Sequence, residues 1–167
     1  MNKVMDVAQY IINYSIEKDK PISNLKLQKI LYYIQAAFLT NRKKPCFNEK
    51  IQNWRHGPVV PEVYREYKIY SNGNINDRQT GYSEFELDEN LNLKINRKKY
   101  EENDMCEIDK NLINKVVDSY LDVEAWEMVK RTHEEDPWKY SCQDEEITLE
   151  NIQKYFEKNK ERIYGGN

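Results

Sequence analysis

The residues best equipped for chemistry lie in one acidic run, His133-Glu134-Glu135-Asp136, followed by Pro137-Trp138. Carboxylates beside an imidazole can hold a divalent cation or exchange a proton with a substrate. The spacing argues against a catalytic zinc. The run is not HExxH, so it does not set two histidines on one helix face, and the chain has only 2 histidines, the other being His56. The acid pairs Glu134-Glu135 and Glu145-Glu146 could serve general acid–base work. Adjacent acids are equally ordinary on a solvated surface, and no apolar neighbourhood in the sequence marks these as buried. The 3 cysteines, Cys46, Cys106 and Cys142, are widely spaced and form no CxxC pair, which removes a zinc knuckle and a thioredoxin-like centre and leaves reduced thiols. The chain carries no nucleophile elbow, P-loop or dinucleotide fingerprint, and 2 histidines do not assemble a convincing triad. The expectation is therefore a protein that is not an enzyme, with no metal and no cofactor. His133–Asp136 reads as a solvated helix end, with Pro137-Trp138 packed back on the core.

A second group suits binding. Trp54-Arg55-His56 precedes Gly57-Pro58, and Trp and Arg are the side chains most enriched at binding hot spots. Against this stands a structural role, with Trp54 plugging the core and Arg55 paired to a carboxylate. In an extended segment neighbouring side chains alternate, so Trp54 and His56 would share one face and Arg55 would take the other. Gly57, Pro58 and Pro61 read first as turn and helix-start residues. The 13 tyrosines are many for this length, and Tyr32, Tyr33, Tyr64, Tyr67 and Tyr70 cluster in the first half. Tyrosine offers large contact area with few rotors, which fits a binding face as well as a half-buried helix position. Lys26 and Lys29 with Arg42-Lys43-Lys44 could form a small basic patch, or a solvated helix face and loop.

The bulk properties bound what such residues can serve. Formal charge is −3, from 26 basic and 29 acidic residues, so no sequence-independent grip on nucleic acid is expected. Of the 167 residues, 39% are hydrophobic and 33% charged, which reads as a well-solvated single domain with a modest core. No stretch approaches a membrane span, and no secretory leader or lipidation signal is visible, so a cytoplasmic location and no membrane partner are expected.

The elements that must position these residues are mostly helical. Val4, Val7, Ala8, Ile11, Ile12 and Ser15 follow the i, i+3, i+4, i+7 rule, and Lys20-Pro21 ends that helix. Leu27, Ile30, Leu31, Ile34, Ala37 and Phe38 repeat the pattern behind Ser23 as N-cap, so the two helices form a hairpin. Residues 50–56 read as a short strand or extended arm, broken by Gly57-Pro58. Pro61 then starts a helix that runs towards Tyr70, before a turn at 71–74. Residues 75–107 are an insertion, either a hairpin turning at Asp88-Glu89-Asn90 or a charged surface loop. A helix capped by Asp109 follows. Another runs from Val123 to Thr132, with Ala125, Trp126 and Val129 inward. The last starts at Thr148, with Ile147 and Ile152 as a hydrophobic staple, and Gly165-Gly166-Asn167 frays. The fold class is mostly α: a compact single-domain bundle over 1–167 of five to six helices, with a minor β-hairpin at most.

Three segments together resemble one family. They are Leu25-Lys26-Leu27-Gln28-Lys29-Ile30-Leu31-Tyr32-Tyr33-Ile34-Gln35-Ala36, then Trp54-Arg55-His56-Gly57-Pro58-Val59-Val60-Pro61-Glu62-Val63-Tyr64, then His133-Glu134-Glu135-Asp136-Pro137-Trp138 with a final helix near Tyr155-Phe156. Their order and spacing are similar to the Panacea domain of SocA-like antitoxins, a family that also includes phage-associated GepA-like proteins. The similarity covers residues 4–70 and 108–157, and 75–107 shows no family pattern. The resemblance implies an antitoxin that neutralises a protein toxin, or another protein target, by direct binding. The alternatives it leaves open are an adaptor that delivers a toxin to a cytosolic protease and a nucleic-acid-binding regulator. Oligomeric state stays open. The segment most particular to the family is also the one with hot-spot composition. The partner-binding residues expected are therefore Trp54, Arg55, His56, Gly57, Pro58 and Tyr64, with Tyr32 and Tyr33 as neighbours.

Overall fold

Every residue from Leu27 to Thr40 is buried, and the other elements are arranged around the helix that carries them. The computed structural model describes residues 2–87, 89, 91, 93–101 and 105–165. Helix α1 spans Val4–Glu17 and α2, the central helix, Asn24–Asn41. Strands β1 (Gln52–Trp54) and β2 (Gly57–Val59) form a tight antiparallel hairpin, and α3 (Pro61–Tyr67) follows at once. A second hairpin pairs β3 (Gly81–Leu87) with β4 (Leu93–Lys99). Then come α4 (Glu107–Tyr120), α5 (Ala125–His133), the one-turn α6 (Asp136–Lys139) and α7 (Leu149–Lys158), closed by a 3-10 turn over Lys160–Tyr164.

The mostly helical reading holds, with seven α-helices among the described residues. The addition to the expected five to six is α6, where Pro137 in the first turn lets the chain wind once more after α5. Two of the predicted caps are present. Ser23 Oγ accepts from the Lys26 amide at 3.3 Å, and Thr148 Oγ1 from the Asn151 amide at 3.2 Å. Each such cap contributes about 1 kcal/mol. The expected Asp109 cap is corrected. Helix α4 starts at Glu107 after Cys106, and Asp109 lies inside its first turn, buried, where it meets Arg42 at 3.2 Å.

Of the two readings of residues 75–107, the hairpin is the one that forms. Phe85 lies opposite Ile95 and Leu87 opposite Leu93. Of the expected turn residues, Asp88 and Asn90 lie outside the described residues, as do Gly166 and Asn167 of the expected frayed end. Gly165 is held, since Arg131 Nη1 donates to its carbonyl at 2.8 Å. The root of the β3–β4 hairpin is tied to α1. Gln9 Nε2 donates to the Gly81 carbonyl at 2.8 Å, and Asn13 exchanges hydrogen bonds with the backbone of Gln79 at 2.7 and 3.0 Å.

Of the two readings of Lys26, Lys29 and Arg42-Lys43-Lys44, a shared basic patch does not form, and Lys29 departs from a solvated face as well. Lys29 is fully buried, Lys26 Nζ donates to the Leu121 carbonyl, Arg42 pairs with Asp109 and Lys43 with Glu157. The three thiols are free, with Cys46 buried and Cys106 and Cys142 exposed. Burial raises the Cys46 thiol well above the ordinary range, so it stays protonated and unreactive. Titration of the native protein with a thiol reagent should therefore show two fast thiols and a third that reacts only on unfolding. Three fast thiols would mean that the loop after α2 does not close over Cys46.

Candidate binding groove

The polar face of α2 holds the β1–β2 hairpin in place. Lys29 Nζ donates to the Pro58 carbonyl at 2.9 Å. Gln28 Oε1 accepts from the Val60 amide at 2.9 Å, while its Nε2 donates to Asn24 Oδ1 at 2.9 Å. Asn24 Nδ2 in turn reaches the Tyr64 carbonyl at 3.1 Å. These three residues satisfy backbone groups that would otherwise be buried without partners, a loss of about 1–3 kcal/mol each.

The turn of the hairpin is Arg55-His56, because Trp54 pairs with Gly57. This corrects the expected break at Gly57-Pro58, which instead belongs to β2. The positive φ needed after such a turn falls on Gly57, at +99°. It also overturns the alternation argument. Arg55 and His56 are both exposed at the turn, and Trp54 is half-buried at its base, not a core plug. Gly57 and Pro58 are buried.

The three remaining predicted residues divide. Tyr64 stands beside the turn, its ring 5.0 Å from Trp54 in an edge-on contact. Tyr32 and Tyr33 are fully buried, so a partner cannot reach them without unfolding the centre. Tyr33 stacks on Tyr120 at 4.7 Å, and the rings of Tyr32 and Tyr33 both meet Phe156 edge-on. Such pairs contribute about 0.5–1.5 kcal/mol beyond their buried area.

Trp126 belongs to the site although its expected position was the core. It is 58% exposed on α5, and the His56 ring meets it edge-on at 5.1 Å. The helical period places Met128, Val129 and Thr132 inward, which turns Trp126 outward. Together these side chains line a groove of about 340 Å³ between the hairpin turn, α3, the start of α2 and α5. Its walls are Trp54, Tyr64, Trp126 and Val59, and its charged and ionisable rim is Arg55, His56 and Lys68.

The acidic run lies behind this groove, and the expected solvated helix end is corrected at Glu135. Glu135 is 1% exposed and accepts from Tyr33 Oη at 3.0 Å. Burial pushes its carboxyl up to about 7, against opposing contributions from Tyr33, Tyr32 and Arg162. His133 stacks on Trp138 at 3.9 Å, and burial lowers its pKa, with Lys29 and His56 acting in the same sense. Trp138 Nε1 donates to the Trp54 carbonyl at 3.0 Å, so the run braces the hairpin from below. No cluster of three metal-ligating side chains occurs among the described residues.

The sequence profile of the SocA-like antitoxins, the Panacea domain, matches residues 27–139. The chain belongs to the SocA-like antitoxin family. That stretch contains the groove's hairpin, Tyr64 and Trp126, the bracing run, and also the β3–β4 hairpin. Over 59 residues the chain is 42% identical to "Antitoxin SocA" of Caulobacter vibrioides, which is 35% of this chain and 31% of that relative. No solved structure is significantly similar to the chain. The described residues of this family member contain no helix long and apolar enough to cross a membrane.

Proposed function

We propose that this chain neutralises a protein toxin by binding it directly, and that the groove around Trp54, Arg55, His56, Tyr64 and Trp126 is the contact surface. The observation that supports this most is the exposed Trp126 packed against His56 at a rigid turn. Two ring pairs and an arginine are gathered at a place that adds little to the core. Rings already packed on each other lose little conformational freedom on binding, and aromatic and arginine side chains dominate interface energetics. The action is binding, not catalysis, and its place is the cytoplasm, where free thiols such as these three persist.

The test is a rescue assay. Short reading frames adjacent to the gene are expressed alone to find one that arrests growth, then together with this chain. Wild type should restore growth, and Arg55→Ala should weaken binding of the toxin by about 1–3 kcal/mol with the thermal midpoint almost unchanged. Folded Arg55→Ala, Tyr64→Ala and Trp126→Ala proteins that all rescue fully would place the interface elsewhere. Rescue that depends on a cytosolic protease and lowers toxin abundance would point to the adaptor mechanism.

A further inference from the structure

We infer that the groove selects an acidic segment carrying an apolar or aromatic side chain on its protein partner. The inference rests on the groove being the partner-binding site. Its first support is charge. The lining holds Arg55, Lys68 and His56, and no Asp or Glu among the described residues, in a chain whose net charge is −3. Arg55 and Lys68 are exposed, and neither makes an ion pair among the described residues. A groove that gathers cations without internal counterions is complementary to an acidic ligand.

The second support is the backbone. A segment could in principle add as a strand to the β1–β2 hairpin, and both edges are closed to it. The outer edge of β1 is taken by residues 144–147: the Asn53 amide donates to the Glu145 carbonyl at 2.9 Å, the Asp144 amide to Asn53 at 2.7 Å and the Ile147 amide to Ile51 at 2.8 Å. On β2, Pro58 has no N–H, and its carbonyl accepts from Lys29. Recognition must then run through side chains. The walls available are the Trp54–Tyr64 and Trp126–His56 ring pairs, and about 340 Å³ between them accepts a few side chains of an extended segment.

Aromatic walls beside cations also suit single-stranded nucleic acid. What favours a peptide is the scale of the charge. Two permanently charged side chains do not make the continuous basic track that follows a phosphate backbone.

The full chain is applied to an array of random-sequence short peptides and, separately, to single-stranded oligothymidine, at low and high salt. Peptides rich in Asp or Glu with one Phe, Trp or Leu should be retained at least about tenfold over Lys-rich ones, with the preference shrinking at high salt. The exposed double variant Arg55→Glu, Lys68→Glu should keep its fold and reverse the preference. Retention without an acidic bias, a bias unchanged by the double variant, no retention at all, or tighter binding of oligothymidine would each overturn the inference. The growth-rescue assay separates this from the function itself. A chain that neutralises its toxin through Trp126 and Tyr64 without an acidic bias loses this inference and keeps the antitoxin reading. An acidic bias that follows Arg55 and Lys68 in a chain that rescues nothing supports the selectivity and removes the antitoxin reading.

Discussion

Gly57→Ala is expected to destabilise the protein by about 2–5 kcal/mol and to abolish partner binding in whatever fraction still folds. Two effects add. The backbone there has φ +99°, where a residue with a Cβ is strained. The added Cβ would also lie 2.7 Å from Lys29 Cε and 2.7 Å from Thr132 Oγ1. Neither neighbour is free to yield. Lys29 is fully buried and bound to the Pro58 carbonyl, and Thr132 Oγ1 is bound to the Val129 carbonyl at 2.9 Å inside α5. The turn would have to lift from α5, which pulls His56 away from Trp126 and opens the groove. A double-mutant cycle in a Thr132→Ala background separates the parts, because it relieves one clash and leaves the φ strain. Chemical unfolding that gives less than about 1 kcal/mol for Gly57→Ala would show that the hairpin does not sit against α5 in this way.

The second large effect concerns pH, through two buried groups of opposite charge type. Glu135 has its carboxyl raised from 4.5 to about 7 by burial, so the folded state holds a proton that the unfolded chain has lost. The stability it contributes is fully present below pH 4.5 and is lost as pH rises through 7. Lys29 has its ammonium lowered from 10.5 to about 7, again by burial. Its contribution is fully present above pH 10.5 and is lost as pH falls through 7. The limb spans on the order of 3 kcal/mol for Glu135 and on the order of 5 kcal/mol for Lys29. Other ionisable groups overlay these trends, so differences from wild type are the useful readout. Glu135→Gln should gain stability relative to wild type between pH 4.5 and 7. Lys29→Met should gain relative to wild type as pH falls from 10.5 to 7, offset by a constant loss of about 1–3 kcal/mol for the Pro58 carbonyl left without a donor. Parallel stability-against-pH curves for wild type and Glu135→Gln would show that this carboxylate is ionised at no cost in the fold.

The outline of the helices was legible because periodicity and caps are local. Ser23, Pro61 and Thr148 each mark the start of a helix with groups that act within one turn. Asp109 failed as a cap because it competed with a tertiary partner, Arg42, and the helix could begin earlier without it. The β1–β2 hairpin was half legible. The strand at residues 52–54 was visible, while its partner hid behind Gly57-Pro58, a pair that reads as a break unless Gly57 is known to follow a two-residue turn.

What the sequence determined by itself was the mostly helical class, the family resemblance and the concentration of Trp54, Arg55, His56 and Tyr64 within one short segment, all properties of neighbours along the chain. The tertiary structure alone decided which polar residues are inside. Gln28, Lys29, Tyr32, Tyr33 and Gln35 occupy what looks like the solvent face of an amphipathic helix, yet α2 is enclosed on all sides and they are buried. Enclosure depends on α4, α5, α7 and the hairpin, all distant in sequence, packing around one helix, and no periodicity within α2 records it. The same packing decided the membership of the groove. Trp126 faces outward because Met128, Val129 and Thr132 fill the interior side of α5, and it meets His56 because Lys29 and Thr132 seat the turn bearing that ring directly against that helix.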